Sequence, residues 1–175
     1  MPHSAARFDD YHTLRKELRK NAGIMNHWIK IDIRENHRTG LKHSPPVAAV
    51  AEKDKDLYLA AKPGDVIWFY AIRPVRGVVG FAKIAKKYRD EEKLIYIPEL
   101  RMRKVLFPLR FHLMDVNAAE SKTWMDNHIN IGDFKLDWTL DFQPLLDEHS
   151  KKLIRRAEKK FDMDFLELKK YMEEL

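Results

Sequence analysis

The chain has 175 residues, of which 34% are charged and 45% apolar, a globular balance with enough apolar material for one hydrophobic core. A formal charge of +6 and a pI near 9.4 lean towards an anionic partner without demanding one. The absence of cysteine excludes disulfides, thiolate nucleophiles and zinc–cysteine sites; no apolar run reaches the roughly 20 residues of a membrane span and no signal-peptide core opens the chain, so a cytoplasmic protein is expected.

Taken in chain order, the segment from Arg7 to Asn21 spaces Tyr11, Leu14 and Leu18 as an amphipathic helix, with Gly23 as its stop. From Trp28 to Ile33 apolar and polar residues alternate. That period predicts a half-buried strand with Trp28, Lys30 and Asp32 on one face and Ile29, Ile31 and Ile33 on the other. The polar stretch from Arg34 to Pro46 carries His37 and His43 and ends in Pro-Pro, and it reads as a loop. Val47 to Ala51 with Leu57, Tyr58 and Leu59 fits a small helix or two short pieces. Lys62-Pro63-Gly64-Asp65 then turns the chain into the run from Val66 to Tyr70. A second run starts at Gly77, continues to Ile84 and leads into the charged segment through Tyr88 and Asp90. Two short β-branched and aromatic runs bounded by turn residues predict a β-hairpin.

Arg89 to Lys93 reads as a charged turn, and Leu94 to Ile97 as a brief strand stopped by Pro98. Phe107, Leu109, Phe111 and Leu113 alternate strictly, with Arg110 and His112 facing the other way, and predict another strand. Asn117 to Asp133 gathers turn-forming and charged residues around Trp124, and Leu136 to Leu140 fits a final strand or a docking segment. Pro144, with Leu145, Leu146, His149 and Leu153 beyond it, opens a helix running to about Lys160. Phe165, Leu168, Tyr171, Met172 and Leu175 give a last amphipathic helix behind an Asp164 N-cap. The expected class is α+β, a small β-barrel or strongly bent sheet surrounded by helices. It divides into an N-terminal helical extension (1–25), a barrel domain (26–143) and C-terminal helices packed on the barrel (144–175).

The arrangement Lys62-Pro63-Gly64-Asp65, Phe69-Tyr70, Gly77-x-Val79-Gly80-x-Ala82-x-Ile84 and Tyr88-x-Asp90 resembles the signature of EVE domains. These are small β-barrel modules similar to PUA, ASCH and YTH domains, a group associated with nucleic acids and often with modified bases. The likeness covers roughly Asn26 to Val116 and is densest from Lys62 to Asp90. It implies a PUA-like barrel of about five to six mostly antiparallel strands. It further implies a nucleic-acid partner, RNA or single-stranded or modified DNA, with a flipped or modified base held in an aromatic pocket and no cofactor. His27-Trp28 stands where the family carries a tyrosine–tryptophan or similar pair near its pocket. Pro45 to Val50 carries alanine where relatives carry an indole, so one wall of an aromatic cage is missing.

A base held out of a stack needs aromatic faces and groups for its polar edge, with basic side chains nearby for phosphate. The expected stacking residues are Trp28, Trp68 and Tyr70. Trp68 and Tyr70 project from one side of their strand and Phe69 from the other, so either set can be the inward one. The expected phosphate-binding set is Arg101, Arg103, Lys104 and Arg110, with Lys83 on the hairpin. His37 and His43 lie in one polar stretch without a carboxylate at ligand spacing, so no metal site is expected. There is no Gly-rich phosphate loop or nucleophile elbow, and a non-enzymatic role is favoured. Two alternatives stand beside it. One is a metal-independent ribonuclease of the ASCH-like type using Lys83, Tyr70 and Arg110; the other is a protein-interaction or scaffold domain whose C-terminal helices dock a partner or a second copy as a homodimer.

Overall fold

The structure, a computed structural model, describes residues 26–161; the helices expected over 7–21 and 165–175 lie outside the described residues. Six strands form one curled sheet: β1 His27–Asp32, β2 Val47–Val50, β3 Val66–Ala71, β4 Gly77–Arg89, β5 Leu109–Ala118 and β6 Phe142–Pro144, in the order β2-β5-β4-β3-β1-β6. Only the β1–β3 pair is parallel; the other pairings are antiparallel. The predicted hairpin is β3–β4. The long β4 shifts register against β5 between Phe81 and Lys83 and again between Ile84 and Lys86, and such bulges bend and twist a strand, which curls the sheet into a half-barrel with β2 and β6 at its edges. Four α-helices complete the described chain: α1 Arg34–Lys42, α2 Lys55–Ala60, α3 Ile97–Met102 and α4 Asp147–Lys160. None of them is long and apolar enough to cross a membrane.

The sheet is buried on both faces, so most of its aromatic rings are enclosed. Inside the curl, Trp28, Ile67, Phe69, Ile84, Phe111 and Phe142 pack together. On the outer face Ile29, Ile31, Trp68 and Phe81 lie beneath Leu153, Ile154 and Ala157 of α4, with Ile129, Ile131 and Phe134 from the preceding segment. Helix α4 forms because its buried residues His149, Ser150, Leu153, Ile154 and Ala157 fall on one stripe, while Asp147 and Glu148 at its start and Lys159 and Lys160 at its end complement the helix dipole.

The turn from Lys62 to Asp65 is a stitch. Gly64 adopts φ 92°, a left-handed conformation that glycine reaches without a side-chain clash. The buried Asp65 carboxylate accepts the backbone N–H groups of Asn26 and Lys62 and the indole N–H of Trp28, tying the start of β1 to the start of β3. Burial pushes the Asp65 carboxyl up, and the same three hydrogen bonds oppose that push.

Several segments differ from the sequence reading. The expected loop over 34–46 contains α1, whose inward residues are Asn36, His37 and Gly40, so its buried stripe is polar and gives no apolar period. The segment over 47–60 resolves into two pieces, β2 and α2. The brief strand expected at 94–97 is instead the approach to α3, where Pro98 sits in the first turn, a position that lacks a hydrogen-bond partner for its N–H anyway. Leu136 to Leu140 is neither strand nor helix but a turn leading into β6, and Pro144 closes β6 while α4 starts at Asp147.

Candidate functional site

Alternation along β1 puts Trp28, Lys30 and Asp32 inside the curl. Lys30 is 4% exposed, yet among the described residues its ammonium has only the Ile31 carbonyl (3.3 Å) and one Asp32 oxygen (3.2 Å) as hydrogen-bond partners. The other Asp32 oxygen accepts the Ile33 N–H at 2.8 Å and the Asn36 side-chain amide at 2.9 Å, holding the first turn of α1 against the end of β1. Burial pushes the Asp32 carboxyl up, but Lys30, His37 and these two hydrogen bonds outweigh it and hold it below the usual carboxylate value.

The Asp32 contact fixes the orientation of the Asn36 amide, because a carboxylate accepts only from the NH2 end. Asn36 Oδ1 is therefore turned the other way, buried and without a hydrogen-bond partner. His37 donates Nε2–H to the Tyr70 carbonyl at 2.8 Å and rests edge-on against Phe69, 5.6 Å between centroids. Burial lowers its pKa to about 4, with the Asp32 charge opposing, so the ring is neutral at physiological pH.

Lys30, Asp32, Asn36, His37, Phe69 and Tyr96 share a cavity with Ala48 and Ala49 of β2. The two alanines are the small residues noted in the Pro45 to Val50 stretch, and they leave this wall without a ring. The enclosed space is about 10 Å3, room for one water molecule. Helix α1 packs closely on β2 beside it: at Gly40 a Cβ would lie 2.3 Å from the Val47 carbonyl and 3.1 Å from the Tyr96 hydroxyl, so only glycine lets helix and strand approach this closely.

The residues expected from sequence are dispersed around this cavity. Trp28 and Trp68 are 0% and 1% exposed and belong to opposite cores. Trp28 stacks on Phe142 at 4.8 Å and donates its indole N–H to Asp65; Trp68 donates its own to His27 Nδ1. Neither indole presents a free face. The choice between Phe69 and the Trp68–Tyr70 set does not arise as expected, because both sides of β3 are covered: Phe69 faces the cavity and Trp68 faces α4. Tyr70 is the exception, half-buried at the end of β3, with its ring edge-on to Trp138 at 5.1 Å.

Arg110 is enclosed by the fold and not presented to solvent. It is fully buried, donating from Nε to the Phe107 carbonyl and from Nη2 to the Lys93 carbonyl and the Glu99 carboxylate, with Asp90 3.5 Å from Nη1. Glu99, also 0% exposed, accepts four backbone N–H groups, from Ile95, Tyr96, Leu106 and Phe107. The pair pins the 90–108 segment over β5 and is not open to a phosphate. Lys83 is 5% exposed on β4 and likewise turned away from solvent. Arg101, Arg103 and Lys104 are exposed at the end of α3, where Arg103 and Lys104 border an open groove with Glu91, Glu92 and Leu94. The set Lys83, Tyr70 and Arg110 does not converge: Lys83 pairs with Val66 and Tyr70 with Val78, at opposite ends of the hairpin, roughly 13 Å apart along β3.

Alternation in the sequence places Lys30 and Asp32 on the Trp28 face but does not mark them as a site. The available signal is a lysine and a carboxylate falling on the same side as a tryptophan. Asn36 and His37 carry no such signal once 34–46 reads as a loop.

No family model matches the chain, and comparison with curated proteins returns no match. Solved structures do match by shape. A mutant of the ASCH protein of Zymomonas mobilis aligns with a TM-score of 0.53 at 17% identity, over 74% of this chain and 95% of the other. A hypothetical protein from Leishmania major aligns with a TM-score of 0.51 at 13% identity, over 79% and 98% respectively. At such identities the likeness speaks for architecture alone: the chain has the α+β, PUA-like small-barrel fold found in ASCH domains.

Proposed function

We propose that this protein is a nucleic-acid-binding module, related to EVE domains within the PUA-like group, that receives one flipped or modified base of RNA or DNA in the curl of its barrel. The observation that carries this reading is the buried Asn36 acceptor, left without a partner beside the Lys30 ammonium and the Phe69 ring. Together these groups offer a hydrogen-bond acceptor, a donor and an aromatic face, the requirements for a base edge and its π-surface. A base is far larger than the space present, so entry requires α1 to move off β2. Arg101, Arg103 and Lys104 supply the exposed charge for phosphates, in support of the net charge of +6.

The test is a titration of labelled single-stranded RNA, single-stranded DNA and methylated duplex at about 50 mM salt, repeated as salt rises. Binding that weakens linearly in log salt, and that loses slope in the Arg101→Ala, Arg103→Ala, Lys104→Ala triple variant, is expected. No binding to any of the three at low salt overturns the reading.

A further inference from the structure

The largest exposed aromatic group among the described residues lies outside the cavity. Trp138 is 50% exposed, whereas Trp28, Trp68 and Trp124 are at most 2% exposed. The backbone that carries it is held in place. Its turn is built by Asp137, whose carboxylate accepts the N–H and hydroxyl of Thr139, and by Leu140, whose N–H returns to the Asp137 carbonyl at 3.0 Å. Beneath the turn the fully buried Gln143 accepts the Asp137 N–H and donates to the Asp137 and Leu140 carbonyls. A buried side chain of β6 thus holds an indole out in solvent, with the Tyr70 ring edge-on behind it.

This ledge adjoins the β3–β4 turn, which carries exposed Ile72, Arg73 and Arg76. Burial pushes the Tyr70 phenol up, and the Arg76 charge is near enough to oppose it. The acidic neighbours in sequence are engaged elsewhere: Asp137 with Thr139, and Asp141 3.8 Å from Lys53. No ion pair involving Arg73 or Arg76 is present among the described residues. Alternation along β3 separates the two surfaces, for Phe69 faces the cavity while the Tyr70 ring meets Trp138, and the Tyr70 carbonyl accepts the cavity residue His37.

We propose that Trp138 and Tyr70 form an external stacking platform for an unpaired base, with Arg73 and Arg76 holding the adjoining phosphates of a single strand. This deepens and rests on the nucleic-acid reading above. A half-exposed indole with a second ring behind it and exposed arginines on the adjoining turn matches the sequence-tolerant mode of single-strand binding, in which rings take bases and cations track the backbone.

The full chain is titrated with a labelled single-stranded oligonucleotide and with the same sequence as a duplex. Trp138→Ala is expected to weaken single-strand binding about 5- to 100-fold with the salt slope unchanged. Trp138→Phe retains most of the affinity but removes the tryptophan fluorescence quench, since the remaining indoles are buried. Arg73→Gln with Arg76→Gln lowers the salt slope instead, by about one per phosphate lost. Wild-type protein that binds neither the single strand nor a duplex, methylated or not, removes the nucleic-acid reading itself, and duplex binding without single-strand binding overturns the platform alone. Wild-type binding left unchanged by Trp138→Ala overturns the platform alone. A Trp138-dependent rise in mass by light scattering without oligonucleotide also overturns it, in favour of a second copy as the occupant.

Discussion

Two buried polar clusters lie beside β2, and they use their polar groups differently. Around Glu99 both carboxylate oxygens are filled by four backbone N–H groups and the Arg110 guanidinium, and Arg110 Nη1, which makes no hydrogen bond among the described residues, still faces the Asp90 carboxylate at 3.5 Å. Around Lys30 and Asn36, both of which line a cavity, one buried acceptor has no hydrogen-bond partner among the described residues and one ammonium has only two, at 3.2 and 3.3 Å. A saturated network holds a segment in place. An unsaturated one costs stability and leaves bonding capacity for a ligand or an ordered water. Both clusters contain a carboxylate and a cation; they differ in that the unbonded Arg110 Nη1 faces a counter-charge, whereas the unbonded Asn36 Oδ1 belongs to a residue lining a cavity.

Breaking the saturated side should have the largest effect. Glu99→Ala leaves a buried guanidinium without its main counter-charge and strands four backbone donors, so a loss of about 3–5 kcal/mol is expected. Thermal denaturation would read this as a fall in midpoint of roughly 10 °C or more. Acidification acts next, through two histidines. His27 and His37 are each lowered to about 4 by burial, the nearby Asp147 opposing for the first and Asp32 for the second. Below the ordinary histidine value of about 6.5 the unfolded chain binds protons that the folded chain refuses. Their stabilisation is therefore complete above that value and is lost as pH falls towards 4, by roughly 3 kcal/mol for each ring. Urea midpoints measured between pH 7 and pH 4 should decline through that window, and His37→Phe should flatten part of the decline. The smallest effect belongs to the unsaturated side. Asn36→Leu removes one hydrogen bond to Asp32 but also an unpaired acceptor, so stability should change by no more than about 1 kcal/mol. On the proposed function the same substitution weakens recognition of the base, visible as reduced preference among oligonucleotides in competition binding.

Where local signal and tertiary role coincide, the sequence is readable. The β3–β4 hairpin follows from its glycine and proline turns and β-branched runs, and Asp65 has its place in the motif because it stitches β1 to β3. The strand character of β1 and of Leu109, Phe111 and Leu113 follows from alternation, as does the helix ending at Lys160 from its apolar spacing. Polar burial is not readable. Arg110 looks solvent-facing because it alternates with apolar residues, and only the 90–108 segment folding back over β5 encloses it. Helix α1 escapes notice because the residues it buries are Asn36, His37 and Gly40.

By itself the sequence determined the turns, the strand periods and the basic balance, because each is a property of neighbouring residues or of composition. Which aromatic rings meet solvent was decided by tertiary structure alone. Period two assigns Trp68 and Phe69 to opposite sides of β3 but cannot say that α4 covers one side and the closing barrel the other. Nor could it say that a buried glutamine would hold Trp138 in the open, since that depends on β6 pairing with β1 far away in the chain.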